Sequence, residues 1–155
     1  PPHARCLAAH AGARSQAGNQ SRMILYHHDR YWLEPACIAW CDTEEFVAAA
    51  ERGVTLFHQQ KPHEAALLLD RANQLYRGDY MDDCPFFGDS SYVEDQRGIL
   101  RSRYIEVLLA FGAICEVHGR AGEAASAYHR ALALSFDGCA VAEEGLTRLQ
   151  ENLSR

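Results

Sequence analysis

The chain has 155 residues, enough for one domain with a hydrophobic core, and nearly half of them are apolar. Its formal net charge of −6 excludes a general nucleic-acid-binding surface, because phosphate binding requires clustered lysines and arginines. No apolar run approaches the roughly 18 residues of a membrane-spanning helix, and residues 1–10 lack the apolar core of a signal peptide. We therefore expect a cytoplasmic globular protein that does not cross a membrane.

Residues 1–22 differ in charge from the rest of the chain. They carry Arg5, Arg14 and Arg22 and no Asp or Glu. A basic segment of this kind is compatible with a contact to DNA, but we expect a flexible or truncated end. The chain begins with Pro1 rather than Met, which favours a piece of a longer protein.

A β-hairpin is predicted next, over Met23 to Leu33. Two short β-prone runs flank the polar stretch from His27 to Arg30, and Pro35 ends the pattern. We assign residues 1–41 to a flexible tail and this hairpin.

Helical periodicity then begins and continues almost to the end of the chain. Asp42 is predicted as the N-cap of a helix over about 43–60, with Glu45 completing a capping box. Pro62 suits the first position of a second helix, which we expect to end at Tyr76.

Residues 78–90 are predicted to form an acidic loop with aromatic side chains that fold back on the body. Ser91 and Glu94 form a second capping box at the start of a long helix that ends near His118. Its apolar face is predicted to include Ile99. A helix over 121–134 follows, and the last helix, over 140–153, carries a predicted apolar stripe of Val141, Leu146, Leu149 and Leu153.

One pattern of small and large residues occurs twice in the helical part. Gly53, Leu56, Ala65, Leu69 and Ala72 recur 59 positions later as Gly112, Cys115, Ala124, Tyr128 and Ala131. Small residues let two antiparallel helices approach closely, and the large residue fills the space between pairs. The pattern resembles the tetratricopeptide repeat, whose unit has about 34 residues, although any helical hairpin favours small residues where its helices cross. Phe136 stands where many such repeats carry Pro.

Three motifs in a fixed order carry a more specific resemblance. They are Trp40-Cys41-Asp42-Thr43-Glu44-Glu45-Phe46, Leu75-Tyr76-Arg77-Gly78-Asp79, and Glu94-Asp95-Gln96-Arg97-Gly98-Ile99-Leu100. This order resembles the bacterial transcriptional activator domain of regulators of the streptomycete antibiotic regulatory protein type. The resemblance implies an all-α, tetratricopeptide-like domain over 42–155. It also implies a preceding winged-helix DNA-binding domain, of which the hairpin would be the final wing and most would be missing from this chain.

No catalytic motif and no cofactor motif is present. Asp79, Asp82, Asp83 and Asp89 could in principle hold a hard cation, but their spacing fits no known ligand order, and a solvated acidic loop is favoured. Cys37 and Cys41 with His27 or His28 form a weak zinc pattern, because adjacent histidines on a strand point to opposite faces. Arg77 is expected to play a structural role.

The six cysteines are expected to be free thiols. Cys115 falls on an apolar helix face, where a free cysteine behaves as a small hydrophobe, and a chain of this length needs no disulfides to fold. Cys84 has aspartate neighbours, which do not activate a thiol. We therefore predict no metal site and no catalytic site.

The resemblance thus implies a non-catalytic regulatory domain, which we expect to bind a partner protein or a second copy of itself. In related repeats the first helix of each pair lines the concave face. The residues predicted to bind a partner there are Ala50, Val54, Phe57, His58, Glu106, Leu109, Ala113 and Glu116. The alternative is a sensor module that binds a small metabolite between helices.

Overall fold

The described part of the chain is mostly helical, as predicted, and a short β-hairpin precedes the helices. The computed structural model describes residues 23–83 and 90–154. Five α-helices lie within these ranges: α1 (Asp42–His58), α2 (Pro62–Leu75), α3 (Ser91–Val117), α4 (Ala121–Leu134) and α5 (Ala140–Leu153). The expectations for residues 1–22, Cys84, the phenylalanines at 86 and 87, and Asp89 lie outside the described residues.

The predicted hairpin is confirmed. Strands β1 (Ile24–His27) and β2 (Arg30–Leu33) pair antiparallel, with Ile24 opposite Leu33. His28 and Asp29 form the connecting turn with φ of 51° and 58°, the left-handed conformation that a two-residue hairpin turn requires. Every residue of both strands is exposed, so this ribbon has no buried face among the described residues.

Both predicted capping boxes are wrong by one position. Cys41 and Ser90 are the N-cap residues of α1 and α3, and neither side chain caps its helix. Asp42 is instead the first residue of α1, where its carboxylate accepts a 2.8 Å hydrogen bond from the N–H of Thr43. Glu45 does not reach back to the cap, because its carboxylate is engaged by Trp40 and Arg71.

The helices form two packed pairs and a closing helix. Helix α1 packs on α2, α3 packs on α4, and α5 covers α4 and part of α3. Pro62 occupies the first turn of α2, as predicted. The core of the described part combines alanines with a larger set of bulkier apolar side chains. The largest fully buried ones are Tyr104, Tyr128, Leu69, Leu108, Ile114, Val107 and Cys115.

The two copies of the small-residue pattern occupy equivalent places. A Cβ added to Gly53 would lie 2.9 Å from Cδ2 of Leu69, and one added to Gly112 would lie 2.7 Å from Cε1 of Tyr128. Ala65 and Ala124 are both fully buried on the partner helices. The close approach of the paired helices at these small residues is therefore as predicted, and the large residue of each pair contacts the glycine of its partner helix.

The helix ends repeat as well. Gln60 and Gly119, 59 positions apart, both have positive φ, 61° and 72°. Each is followed by an N–H that returns to the preceding helix: Lys61 to the carbonyl of Leu56 at 3.0 Å, and Arg120 to that of Cys115 at 2.9 Å. A left-handed residue with this hydrogen bond is a common way to end a helix. The repeat therefore extends to backbone conformation.

Two predicted apolar positions are wrong. Val141 is 56% exposed and Ile99 is also 56% exposed, whereas their neighbours Ala142 and Leu100 are buried. One step along a helix rotates a side chain by about 100°, so a stripe that is in error by one residue points away from the core. Leu149 is buried and Leu146 is half-buried, as expected, and the side chain of Leu153 is outside the described part.

Candidate functional site

The residues predicted to bind a partner lie on α1 and α3, the first helices of the two pairs. Five of them are half-buried: Val54, Phe57, Leu109, Ala113 and Glu116. His58 and Glu106 are exposed. Ala50 has no exposed surface, because it is enclosed in the core, so it is not available to a partner in this fold.

Charged side chains link α1 to α3 across this surface. Arg103 lies 3.1 Å from a carboxylate oxygen of Glu51 and 3.3 Å from one of Glu106. Both glutamates keep about half of their side chain exposed, 55% and 51%. One guanidinium therefore pairs with two accessible carboxylates, so the cluster of Arg103, Glu51 and Glu106 has a net charge of about −1.

A second charged cluster joins α3 to α5. Glu116 accepts a 3.1 Å hydrogen bond from the hydroxyl of Tyr128 and pairs with Arg148 at 3.0 Å. The Arg148 guanidinium lowers the pKa of Glu116, and the Tyr128 hydroxyl acts in the same direction against the opposing effect of burial. Burial and the Glu116 carboxylate raise the pKa of Tyr128 to about 12, so its hydroxyl stays a donor. This cluster is balanced in charge.

We call the surface formed by these residues the first-helix face. It comprises the outward side of α1 with Glu51, Val54 and His58, the outward side of α3 from Ile99 to Glu116, and Arg148 of α5. Along α3 the stripe Ile99, Arg103, Glu106, Leu109 and Ala113 advances by three or four residues at a time, so these side chains share one side of the helix. A shallow depression of about 340 Å³ opens at its Ile99 end.

A separate cavity of about 330 Å³ lies where the start of α1 meets the end of α2. Its wall combines apolar side chains with carboxylates and one arginine. The residues that line it are Asp42, Thr43, Phe46, Leu75, Tyr76, Arg77, Gly78, Asp79, Tyr80, Asp82, Asp83 and Leu100. Cavities of this size and mixed lining are typical of small-molecule sites.

Asp79 is the best-anchored carboxylate of this cavity. It forms an ion pair with Arg101 of α3 and accepts a 3.1 Å hydrogen bond from the hydroxyl of Tyr76. Burial opposes ionisation of Asp79, but these donors outweigh burial and lower its pKa. Burial and the neighbouring Asp79 raise the pKa of Tyr76 to about 12.

Arginines of α3 hold the segment that follows α2. Nε of Arg97 donates to the carbonyl of Tyr80 at 2.8 Å, and Nη2 of Arg97 donates to the carbonyl of Met81 at 3.1 Å. Arg101 pairs with Asp79, and its guanidinium also lies 4.9 Å from the ring of the exposed Phe136. Arg77 is exposed on the cavity wall. The sequence could not reveal the Arg101 pair, because 22 residues separate its members.

Tyr104 connects the two helix pairs. Its ring stacks on Tyr76 with centroids 3.9 Å apart, and its hydroxyl donates to the side-chain oxygen of Asn73 at 2.7 Å. Arg130 of α4 donates to the same hydroxyl and also to Asn73, at 3.0 Å. The hydrogen-bond network therefore runs from α2 through α3 to α4.

Comparison with known families decides the family of this chain. The model of the bacterial transcriptional activator domain matches residues 41–137, more than half of the chain. The chain belongs to the bacterial transcriptional activator domain family. Neither the curated proteins nor the solved structures contained a match.

The matched range follows the boundaries of the first four helices. It begins at Cys41, the N-cap of α1, and includes both helix pairs together with the Asp79–Arg101 ion pair. It ends at Asp137, before α5. The family is one of transcription regulation, so the predicted family and regulatory class are confirmed.

The activator domain gathers few groups that could do chemistry. In the ranges 23–83 and 90–154, no three His, Cys, Asp or Glu side chains come together as metal ligands, and Cys37 and Cys41 are free thiols. Burial raises the pKa of the enclosed Cys115 thiol, which makes it a poor nucleophile. His118 serves α3 itself, because its Nδ1 lies 2.7 Å from the carbonyl of Ile114. No helix in the described ranges is long and apolar enough to span a membrane.

Proposed function

We propose that this activator domain is a non-catalytic docking platform within a cytoplasmic bacterial transcription regulator, and that its first-helix face binds a partner protein or a second copy of the chain. The observation that carries this proposal is the exposure pattern of α3. Leu109 and Ala113 are half-buried side chains on an outward stripe whose other members are exposed or charged. Such a mixed surface is typical of reversible protein contacts.

The test places a bulky charge on the first-helix face of the complete regulator. Ala113→Arg is compared with Ser126→Arg, which lies at a more exposed position of α4. We expect Ala113→Arg to abolish activation of a transcription reporter driven by a promoter that the regulator activates, whereas Ser126→Arg should retain activation. Circular dichroism should show that both variants remain folded. Full activation by Ala113→Arg would contradict the proposal.

Sedimentation velocity separates the two kinds of partner. Self-association would appear as a concentration-dependent sedimentation coefficient that Ala113→Arg removes and Ser126→Arg preserves. A monomer at all concentrations, combined with loss of reporter activity in Ala113→Arg, would assign the face to a different protein.

DNA contact is proposed to come through a winged helix that lies mostly outside this chain, with the hairpin as its last two strands. The exposed apolar side chains of the hairpin support this, because Ile24, Tyr26 and Trp32 are each more than half exposed and an isolated two-stranded ribbon is marginally stable. A gel shift at moderate salt with this chain alone should show no sequence-specific complex, and tight specific binding would refute the assignment.

A sensor role is the second candidate, and the 330 Å³ cavity favours it. Its apolar wall at Phe46, Leu75 and Leu100 could receive a small molecule whose polar groups face Asp42 and Arg77. The test is thermal shift against a metabolite panel, repeated with Leu100→Trp to fill the cavity. A large stabilisation by one compound, lost in Leu100→Trp, would support the sensor; no stabilisation by any compound would favour the platform alone.

A further inference from the structure

We infer that the partner of the first-helix face is a basic amphipathic helix of another protein. This inference rests on the proposed docking function and specifies the chemistry of the partner. It is carried by the arrangement of carboxylates and apolar side chains along α1 and α3.

The negative charge is concentrated beside the apolar part of the face. Arg103 can compensate only one of its two carboxylate neighbours, Glu51 and Glu106, and both remain about half exposed. On α5, Glu144 is exposed one turn before Arg148, and Arg148 is already paired with Glu116. Within the described residues, the face as a whole therefore has an excess of carboxylates over cations.

The net charge of the rest of the chain adds to the negative electrostatic potential of this face. Residues 1–22 contribute +3, so the rest of the chain carries a formal net charge of −9. A surface potential of one sign accelerates association with a partner of the opposite sign and disfavours acidic partners. The long-range charge and the local carboxylates thus select for the same kind of partner.

The apolar positions define the shape of the partner. Ile99, Leu109 and Ala113 lie on one side of α3, spread over about four turns, and Val54 of α1 belongs to the same face. The depression at Ile99 is bordered by Gly98, which has no side chain, and by Ser102, whose side chain is small, so there is room for a large apolar residue. A helix that packs along such a stripe contributes apolar residues at i, i+3 or i+4, and i+7, and its lysines or arginines flank them.

The probe is a fluorescein-labelled 18-residue peptide with leucines at this spacing and lysines beside them, titrated by anisotropy with the whole chain at low salt. Two variant peptides are compared: one with every lysine replaced by glutamine, and one with every leucine replaced by serine. We expect the lysine–leucine peptide to bind most tightly. Both variants should bind at least about fivefold more weakly, since several exposed ion pairs or several apolar side chains are removed together.

Matched protein variants locate the binding site. Glu51→Gln combined with Glu106→Gln should weaken binding of the lysine–leucine peptide by about fivefold to tenfold. Glu64→Gln combined with Glu123→Gln changes the net charge equally on the second helices and should leave binding within about twofold. Equal weakening by both pairs, or equal binding of the glutamine peptide, would overturn the inference.

The reporter assay distinguishes this inference from the docking proposal. If Ala113→Arg abolishes activation while the glutamine peptide binds as well as the lysine peptide, docking stands and the basic partner is wrong. If Glu51→Gln combined with Glu106→Gln lowers both peptide affinity and reporter activity, while the control pair changes neither, both are supported.

Discussion

Replacing Gly112 by alanine tests the close approach on which the second helix pair depends. The added Cβ would lie 2.7, 3.0 and 3.1 Å from three ring atoms of Tyr128. The ring cannot move away, because Gly145 of α5 lies on its other side, where an added Cβ would be only 2.5 Å distant. The hydroxyl is also held by Glu116. The strain must therefore separate α3 from α4 or distort the ring.

The magnitude follows from two opposing effects. Overpacking a close-packed core costs about 1–3 kcal/mol, and the glycines on both sides of the ring place this site near the upper end. Alanine is better than glycine in a helix by about 1 kcal/mol. Gly112→Ala should therefore lower the free energy of unfolding by about 1–2 kcal/mol, measured by urea denaturation monitored by circular dichroism.

Gly98 of the same helix provides the matched control. Apart from its chain neighbours and the nearby backbone of α3, no heavy atom of the described residues lies within 4 Å of a Cβ added there, so Gly98→Ala should raise the free energy of unfolding by up to about 1 kcal/mol. The free energies of unfolding of the two variants should differ by about 1–3 kcal/mol. In a Tyr128→Leu background the penalty of Gly112→Ala should shrink. Equal stability of Gly112→Ala and Gly98→Ala would refute the reasoning about the close approach.

Three further predictions concern the helix ends and the polar network. Gln60→Gly should stabilise the protein by about 1 kcal/mol in urea denaturation, since glutamine is strained at a φ of 61°, whereas Gln59→Gly, at −78°, should not. Tyr104→Phe should destabilise by about 1–2 kcal/mol by leaving Asn73 and Arg130 without their shared hydroxyl; an unchanged urea midpoint would contradict this. The pKa of Asp79 is lowered in the folded chain. The ionised carboxylate therefore contributes fully to stability above the ordinary aspartate pKa, and this contribution is lost as the pH falls through the lowered pKa. Asp79→Asn should therefore reduce stability at neutral pH, and its stability should fall less steeply than that of the unmodified chain below about pH 4; parallel acid profiles would show that Asp79 is not the group responsible.

Features set by local chemistry were predictable from the sequence. Pro62 specified the start of α2, and the small residues at Gly53, Gly112, Ala65 and Ala124 specified where the helices cross, because only small side chains fit there. The cap positions were wrong by one residue, since Asp42 and Ser91 are good caps in isolation, while the carboxylate of Glu45 is engaged by side chains instead of the backbone.

Features set by long-range packing were not predictable. Gly145 carries the same close approach to Tyr128 as Gly112, but it falls outside the two-pair pattern because it belongs to α5. Arg101 was missed as the partner of Asp79 because several arginines of α3 were equally plausible until the helix phase was known. Likewise Ala50 shares the periodicity of the first-helix face, but its depth in the core depends on the packing of all the neighbouring helices.

The position of Tyr128 has a practical consequence for the boundaries of the folding unit. The family match stops at Asp137, yet one side of the Tyr128 ring packs against Gly145, and α5 also contributes the buried Ala142 and Leu149. Trimming the protein at residue 137 would leave a tyrosine and the adjoining alanines of α4 in water, and such a bare apolar surface favours aggregation. Recombinant forms of this domain should therefore retain the whole of α5.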